Sequence, residues 1–379
     1  MTKIQKLTIV FLLSTFYFLL SSSVSAATLY LIPQSQTVYQ QDSFIAEVRL
    51  DTEGKEINAV EINLKFLPDL LKTIDLSRGG SILTLWVKEP SIEDDLISFI
   101  GGMPGGFKGE GLIGKIIFLG KEISRAGINF QEDSKVLLND GKGTPAKLSF
   151  LEGNYEIVLR PVELVVLNSP SNPDQNKWYL ADSFEIHWKA EPQAEYSYIL
   201  SRDPLMEPDE KPETLIEHLK WEKMDDEIYY FQLKEKLPGK DWSKKVTYRF
   251  MIDTTLPEEF KPEIGRDPTI FEGKYFLSFA TTDKTSGVDY YEVKEGKRDF
   301  KKVKSPYLLE DQSLKSKIVV KAIDKAGNEK IAQIIPPKKS FPYWIIPIIF
   351  ILTVIIGWII YKLISSKFKV QKLKSQLKT

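Results

Sequence analysis

The stretch Val60-Glu-Ile-Asn-Leu-Lys-Phe66 alternates apolar and polar residues without a break. Side chains of a strand point to opposite faces in turn. Val60, Ile62, Leu64 and Phe66 therefore share one face and Glu61, Asn63 and Lys65 the other. The same period continues outward. Residues 43–50 bring Ala46, Val48 and Leu50 to one face, and residues 97–100, 113–118 and 127–130 extend the series. Asn139-Asp-Gly141 is a tight-turn signal. Beyond it, residues 162–167, 183–188, 196–200, 246–252, 276–280 and 318–328 read as further short β segments. Gly, Pro, Asn and Asp separate these runs, and long helical periodicity is missing between them. The pattern predicts an all-β ectodomain built of sandwiches.

The 379 residues suit two or three folded units, and 42% hydrophobic and 12% aromatic residues supply their cores. The formal net charge is −1, but its distribution is uneven. Lys3 and Lys6 open the chain, and six lysines without an acid close it from Lys362 onward, so the middle is acidic. An acidic ectodomain argues against nucleic acid as partner, because phosphate binding needs a basic face. There is no cysteine. Disulfides, thiolate metal sites, a Cys nucleophile and a lipid-modified N-terminal cysteine are thereby excluded. An exported protein of this kind fits a bacterial or archaeal surface.

The two ends predict the address. Residues 1–26 read as a signal peptide: a positive start at Lys3 and Lys6, an apolar run over 7–20, and small residues at Val24-Ser25-Ala26. Residues 341–361 carry no charge and, as a helix, would span roughly 30 Å, the thickness of a bilayer's hydrocarbon core. Tyr343, Trp344, Trp358 and Tyr361 sit near its ends, where amphipathic rings prefer the interface. Residues 362–379 form a basic tail whose lysines stay on the cytoplasmic side. The expected topology is single-pass in the cell membrane, with the N-terminus extracellular and the C-terminus cytoplasmic.

Several pieces of residues 27–160, in order, resemble a cohesin domain, a jelly-roll sandwich related to carbohydrate-binding modules. They are Leu29-Tyr-Leu-Ile-Pro33, Val60-Glu-Ile-Asn-Leu-Lys-Phe66, Ile97-Ser-Phe-Ile-Gly101, the Gly-rich run before Ile116-Ile-Phe118, Val136-Leu-Leu-Asn-Asp-Gly141 and Gly153-Asn-Tyr-Glu-Ile157. Gln40-Gln41-Asp42 stands where the family usually has a Gly before the second strand, so a divergent member is expected. Residues 161–257, closing on Asp253-Thr-Thr-Leu-Pro257, resemble a bacterial Ig-like or fibronectin type III-like module. Residues 258–337 resemble the Ig-like superfamily through Asp283-Lys-Thr-Ser-Gly287 and Val320-Lys-Ala-Ile-Asp-Lys-Ala-Gly-Asn328. Pro257, Pro262 and Pro268 read as a stiff linker between the last two.

Chemistry is sparse. His187 lies on a predicted strand, and His218 sits in Thr214-Leu-Ile-Glu-His-Leu-Lys220, a possible short helix. No His-x-x-x-His spacing and no G-x-S-x-G elbow occur. The run Gly101-Gly-Met-Pro-Gly-Gly-Phe-Lys-Gly-Glu-Gly111 lacks the Gly-Lys-Ser/Thr of a phosphate loop and reads as a sandwich loop. Asp94-Asp95 and Asp225-Asp226 read as solvated turns. Calcium could bind among the many acids, but no EF-hand loop exists. The expectation is therefore a binding protein rather than an enzyme, with no cofactor and no metal site. The cohesin resemblance implies docking of an extracellular dockerin-like protein, and its carbohydrate-binding relatives imply a polysaccharide. The first domain would be presented distally on the two Ig-like spacers. Within it, Trp86, in a predicted strand over 81–87, and Phe107, in the Gly-rich run, are the candidate ligand-binding residues. The alternative is a structural or adhesive stalk without a specific ligand.

Overall fold

The computed structural model describes residues 26–161, 165–213, 217–336 and 343–376. The expected signal peptide lies almost wholly outside the described residues. The chain divides into a β-rich unit ending at Ile334 and a helical unit from Ile335 onward.

The first module contains β1 (Ala27–Ile32), β2 (Ser35–Tyr39), β3 (Ser43–Asp51), β4 (Ile57–Phe66), β5 (Leu71–Ser77) and β6 (Leu85–Glu93). It continues with β7 (Leu96–Phe107), β8 (Glu110–Gly120), β9 (Ser124–Phe130), β10 (Lys135–Leu138), β11 (Leu148–Leu151) and β12 (Gly153–Val158). They form two sheets. One has the order β11-β1-β3-β8-β5; the other runs β2-β12-β9-β4-β7-β6, with β10 on the flank of β4. The module's first two strands pair in parallel with its last two, β1 with β11 and β2 with β12, which closes the sandwich. The decisive alternation of β4 is realised: Val60, Ile62, Leu64 and Phe66 are all buried between the sheets.

The second module holds β13 (Leu167–Asn168), β14 (Phe184–Trp188), β15 (Glu195–Ser201), β16 (His218–Trp221), β17 (Glu227–Lys236) and β18 (Val246–Ile252). Sheets β13-β14-β16 and β15-β17-β18 enclose an aromatic core in which Phe184 stacks on Phe250 at 3.9 Å. The third module holds β19 (Glu263–Asp267), β20 (Ile270–Ser278), β21 (Val288–Glu295), β22 (Lys301–Val303), β23 (Tyr307–Leu308), β24 (Ile318–Asp324) and β25 (Glu329–Ile334). Its sheets are β19-β20-β23 and β22-β21-β24-β25.

Four sequence expectations are corrected. His218 begins a strand instead of lying on a helix, because Leu219 and Trp221 pair with Ile186 and Phe184 of β14 and pack toward the core. The Gly-rich run is mostly strand: it ends β7 and begins β8, with a short connection at Lys108-Gly109. Glycine is needed at Gly101, where a Cβ would come within 2.7 Å of the Leu83 side chain, and at Gly106, whose φ is 83°. The proline segment is no free linker, since β19 lies between Pro262 and Pro268 and pairs with β20. The predicted strand over 81–87 starts later, at Leu85.

The modules are also not strung out as spacers. Ile45 of β3 and Ile117 of β8 face away from their own core, yet both are buried. They pack with Trp178, Ile228, Tyr230 and Met251 of the second module, with Ala326 of the third against the same cluster. A buried apolar seam of this kind is strongly stabilising. The third module also docks on the first. The Ser77 hydroxyl donates to the Ser286 carbonyl at 2.7 Å, Arg78 donates to the Val288 carbonyl at 2.9 Å, and the Gly80 amide donates to the Asp283 carbonyl at 3.3 Å.

The helical unit is one helix, α1 (Ile345–Gln376). Residues Ile345–Lys367 are long and apolar enough to cross a membrane. The helix continues past residue 361 into the lysine-rich segment.

Candidate functional site

The predicted ligand residues Trp86 and Phe107 both lie on the first module. Strand β6 is the free edge of its sheet, hydrogen-bonded on one side to β7. Leu85 (49% exposed), Val87 (72%) and Ile92 (46%) stand out from it into solvent. A bare edge invites pairing with another strand. Here two register shifts, Pro90, and the charges of Lys88 and Glu89 break its regularity. Lys88 is further fixed by donating to the Ser98 hydroxyl at 2.6 Å. What the edge offers a partner is therefore aliphatic side chains rather than a continuous ladder of backbone groups.

Trp86 and Phe107 are both half-buried and pack on the core of the first module. The Trp86 ring lies 5.8 Å from Phe99, and the Arg78 guanidinium covers it at 5.7 Å. Trp86 also lines a small recess together with Thr281, Thr282 and Asp283 of the third module. Phe107 touches the position where Gly111 allows close approach, 2.8 Å from a Cβ built there. The two rings belong to the same sandwich, with Trp86 directed toward the third module. Leu85, Val87 and Ile92 were not singled out from sequence; the signal for the first two was an apolar residue on each side of Trp86.

A second feature is a cleft of about 1220 Å³ between the first and second modules, lined by Tyr39, Ser43, Tyr230, Trp242, Lys245 and Arg249 among others. Its charges are largely spoken for. Lys234 pairs with Glu207 and Glu210, and Lys245 pairs with Glu207. Asp42 pairs with Arg160, which also lies over the Tyr39 ring at 5.1 Å. Burial holds the Asp42 carboxyl above its usual range, and Arg160 works in the opposite direction. Arg249 is buried, which lowers its pKa. It donates to the Gln175 carbonyl at 2.9 Å, to Asn176 Oδ1 at 2.6 Å and to the Ser43 hydroxyl at 3.0 Å. Of these contacts only the Arg249–Ser43 bond crosses between the modules; the ion pairs close within one module or the other.

Histidine chemistry is not assembled either. His187 and His218 face each other across β14 and β16 with ring centroids 5.6 Å apart, and Glu185 lies 3.7 Å from His187.

No protein-family model and no curated protein matches the chain. Solved structures do resemble it. A non-cellulosomal cohesin from the hyperthermophilic archaeon Archaeoglobus fulgidus is 16% identical over 35% of this chain and 92% of its own, with a TM-score of 0.31. The third ScaB cohesin of R. flavefaciens, solved in complex with a group 1 dockerin, is 9% identical over 36% of this chain and 98% of its own, with a TM-score of 0.30. The full Ig1–Ig3 ectodomain of mouse nectin-like molecule 4 is 9% identical over 81% of this chain and 99% of its own, with a TM-score of 0.23.

Proposed function

We propose that the protein is a membrane-anchored surface protein that binds another extracellular protein through the β6 edge of its first module. The supporting observation is that Leu85, Val87 and Ile92 are all exposed along one edge strand. The residue type favours a protein over a polysaccharide. Sugar rings stack on exposed aromatic faces, whereas the large exposed apolar residues described in this module are all aliphatic. Trp86 and Phe107 would support that surface from beneath. A dockerin-like protein, the class that the cohesin resemblance implies, is the first partner to try. The helix Ile345–Lys367 would hold the chain in the bilayer, with the lysine tail in the cytoplasm. The stalk alternative is less well supported, because the modules interlock instead of extending.

The experiment uses the full chain in nanodiscs, exposed to secreted proteins of the source organism. A captured protein is then measured against Val87→Lys and Leu85→Lys. Both variants should lose capture while keeping the wild-type melting temperature. Capture that survives both substitutions, or that maps to residues 161–336, would sink the assignment.

A further inference from the structure

We propose that Asp253, Asp283 and Asp324 hold one calcium ion where the three modules meet. Asp253 follows β18, Asp283 lies in the connection to β21, and Asp324 ends β24. All three are buried, and one carboxylate oxygen from each lies within 4.8 Å of the others.

Backbone amides account for part of this oxygen. Asp324 Oδ1 accepts from the amides of Ala326, Gly327 and Asn328, and its other oxygen accepts from the Asn328 side chain. Asp253 accepts from the Thr255 and Ser286 amides. Asp283 Oδ1 accepts from the Thr285 and Gly287 amides. Two oxygens are left over. Asp283 Oδ2 has no hydrogen-bond partner, and neither has the fully buried Ser286 hydroxyl, which lies beside the Asp253 carboxylate.

Among the described residues, no lysine or arginine forms an ion pair with these three carboxylates. Lys284 pairs with Glu258, Lys325 pairs with Asp75, and Arg78 pairs with Glu89. Buried carboxylates without a counter-charge are strongly unfavourable. A cation would remove that penalty.

The donors are carboxylate and hydroxyl oxygens, with no nitrogen or sulfur, which suits a hard cation. Calcium accepts oxygens at about 2.3–2.6 Å in irregular geometry; magnesium requires about 2.0–2.1 Å in a near-ideal octahedron and keeps several waters. Carboxylates held by their own turn amides have little freedom to adopt an ideal octahedron, which favours calcium. The first module rests on the same loop, through Ser77 and Gly80 to the carbonyls of Ser286 and Asp283. An ion here would fix the second module, the third module and that docking loop together.

The test uses the full chain in detergent, stripped with EGTA and titrated with calcium or with magnesium. Calcium should bind with one ion lost in Asp283→Asn and retained in Asp140→Asn, a change in an exposed turn. It should raise the melting temperature by several degrees. In the wild-type chain, calcium should slow hydrogen exchange about tenfold or more at the amides of Thr285, Ser286, Gly287, Ala326, Gly327 and Asn328. This map decides the matter alone if Asp283→Asn does not fold. No uptake at millimolar calcium, protection confined to other segments, uptake undiminished in a folded Asp283→Asn chain, or an equal response to magnesium would each overturn the proposal.

Discussion

Lys325, in the last hairpin of the third module, forms an ion pair with Asp75 of the first, 250 residues away in sequence. The ammonium also donates to the Leu76 carbonyl at 2.9 Å. The lysine is mostly buried and the pair is charge-assisted, so it counts for more than a surface contact. Lys325→Ala should cost about 1–3 kcal/mol. Gly79→Ala should act at the same junction by another route, since its Cβ would sit 2.1 Å from the Thr285 carbonyl oxygen. Small-angle scattering of both variants should show a larger radius of gyration than wild type. Unchanged profiles would mean that the first and third modules do not dock in solution.

Trp178 and Trp86 should respond differently. Trp178 is buried in the seam between modules, and Trp178→Ala should destabilise by about 3–5 kcal/mol. Trp86 is half-buried, so Trp86→Ala should cost less, and it should not abolish partner capture while Leu85 and Val87 remain. Thermal unfolding of the two variants, combined with the capture assay, measures both halves of this expectation.

Asp311 gives the third module a pH dependence. Its carboxylate accepts from the Ser313 amide and hydroxyl and from the Lys315 and Ser316 amides. These bonds, led by the serine groups, hold its pKa well below the usual carboxylate range. The folded state thus binds this proton less readily than the unfolded chain. The contribution to stability is fully present above the ordinary aspartate pKa and is lost as pH falls from there toward the depressed value. Asp311→Asn should flatten the acid limb of the stability curve. Chemical denaturation across a pH series would reveal it, and identical acid limbs for the two proteins would count against it.

Removal of residues 341–379 should release the protein from membranes. The span Ile345–Lys367 is the membrane-crossing candidate among the described helices. The truncated chain should appear in the soluble exported fraction and the full chain in alkaline-washed membranes. Retention of the truncated chain in those membranes would point to another anchor.

Much of the fold was legible because many strands bury one face. Period-two alternation marks β4. The seam between modules was not legible, because it superimposes a second contact on strands that also face a core. Ile228 to Phe231 and Phe250 to Ile252 are continuous apolar runs, because one face fills the second module's core and the other meets the first module. Ile45 breaks the alternation of β3 for the same reason. The acid cluster was invisible in sequence: Asp253, Asp283 and Asp324 each sit in a local turn that reads as self-contained, and only the packing of modules brings them together. His218 was misread because pairing with β14 overrides the local helical pattern.

The docking of the third module on the first changes how the β-rich unit would carry force. In a chain of beads, a pull on the first bead must pass through each one in turn. Here tension applied to the first module can cross directly to the third through Asp75–Lys325 and Ser77–Ser286, and so reach Ile334. The second module sits off that direct path, as a brace bearing on the outer face of β3 and β8. The protein should therefore yield first at the direct junction, by a shear of short contacts, and only afterwards begin to stretch the second module.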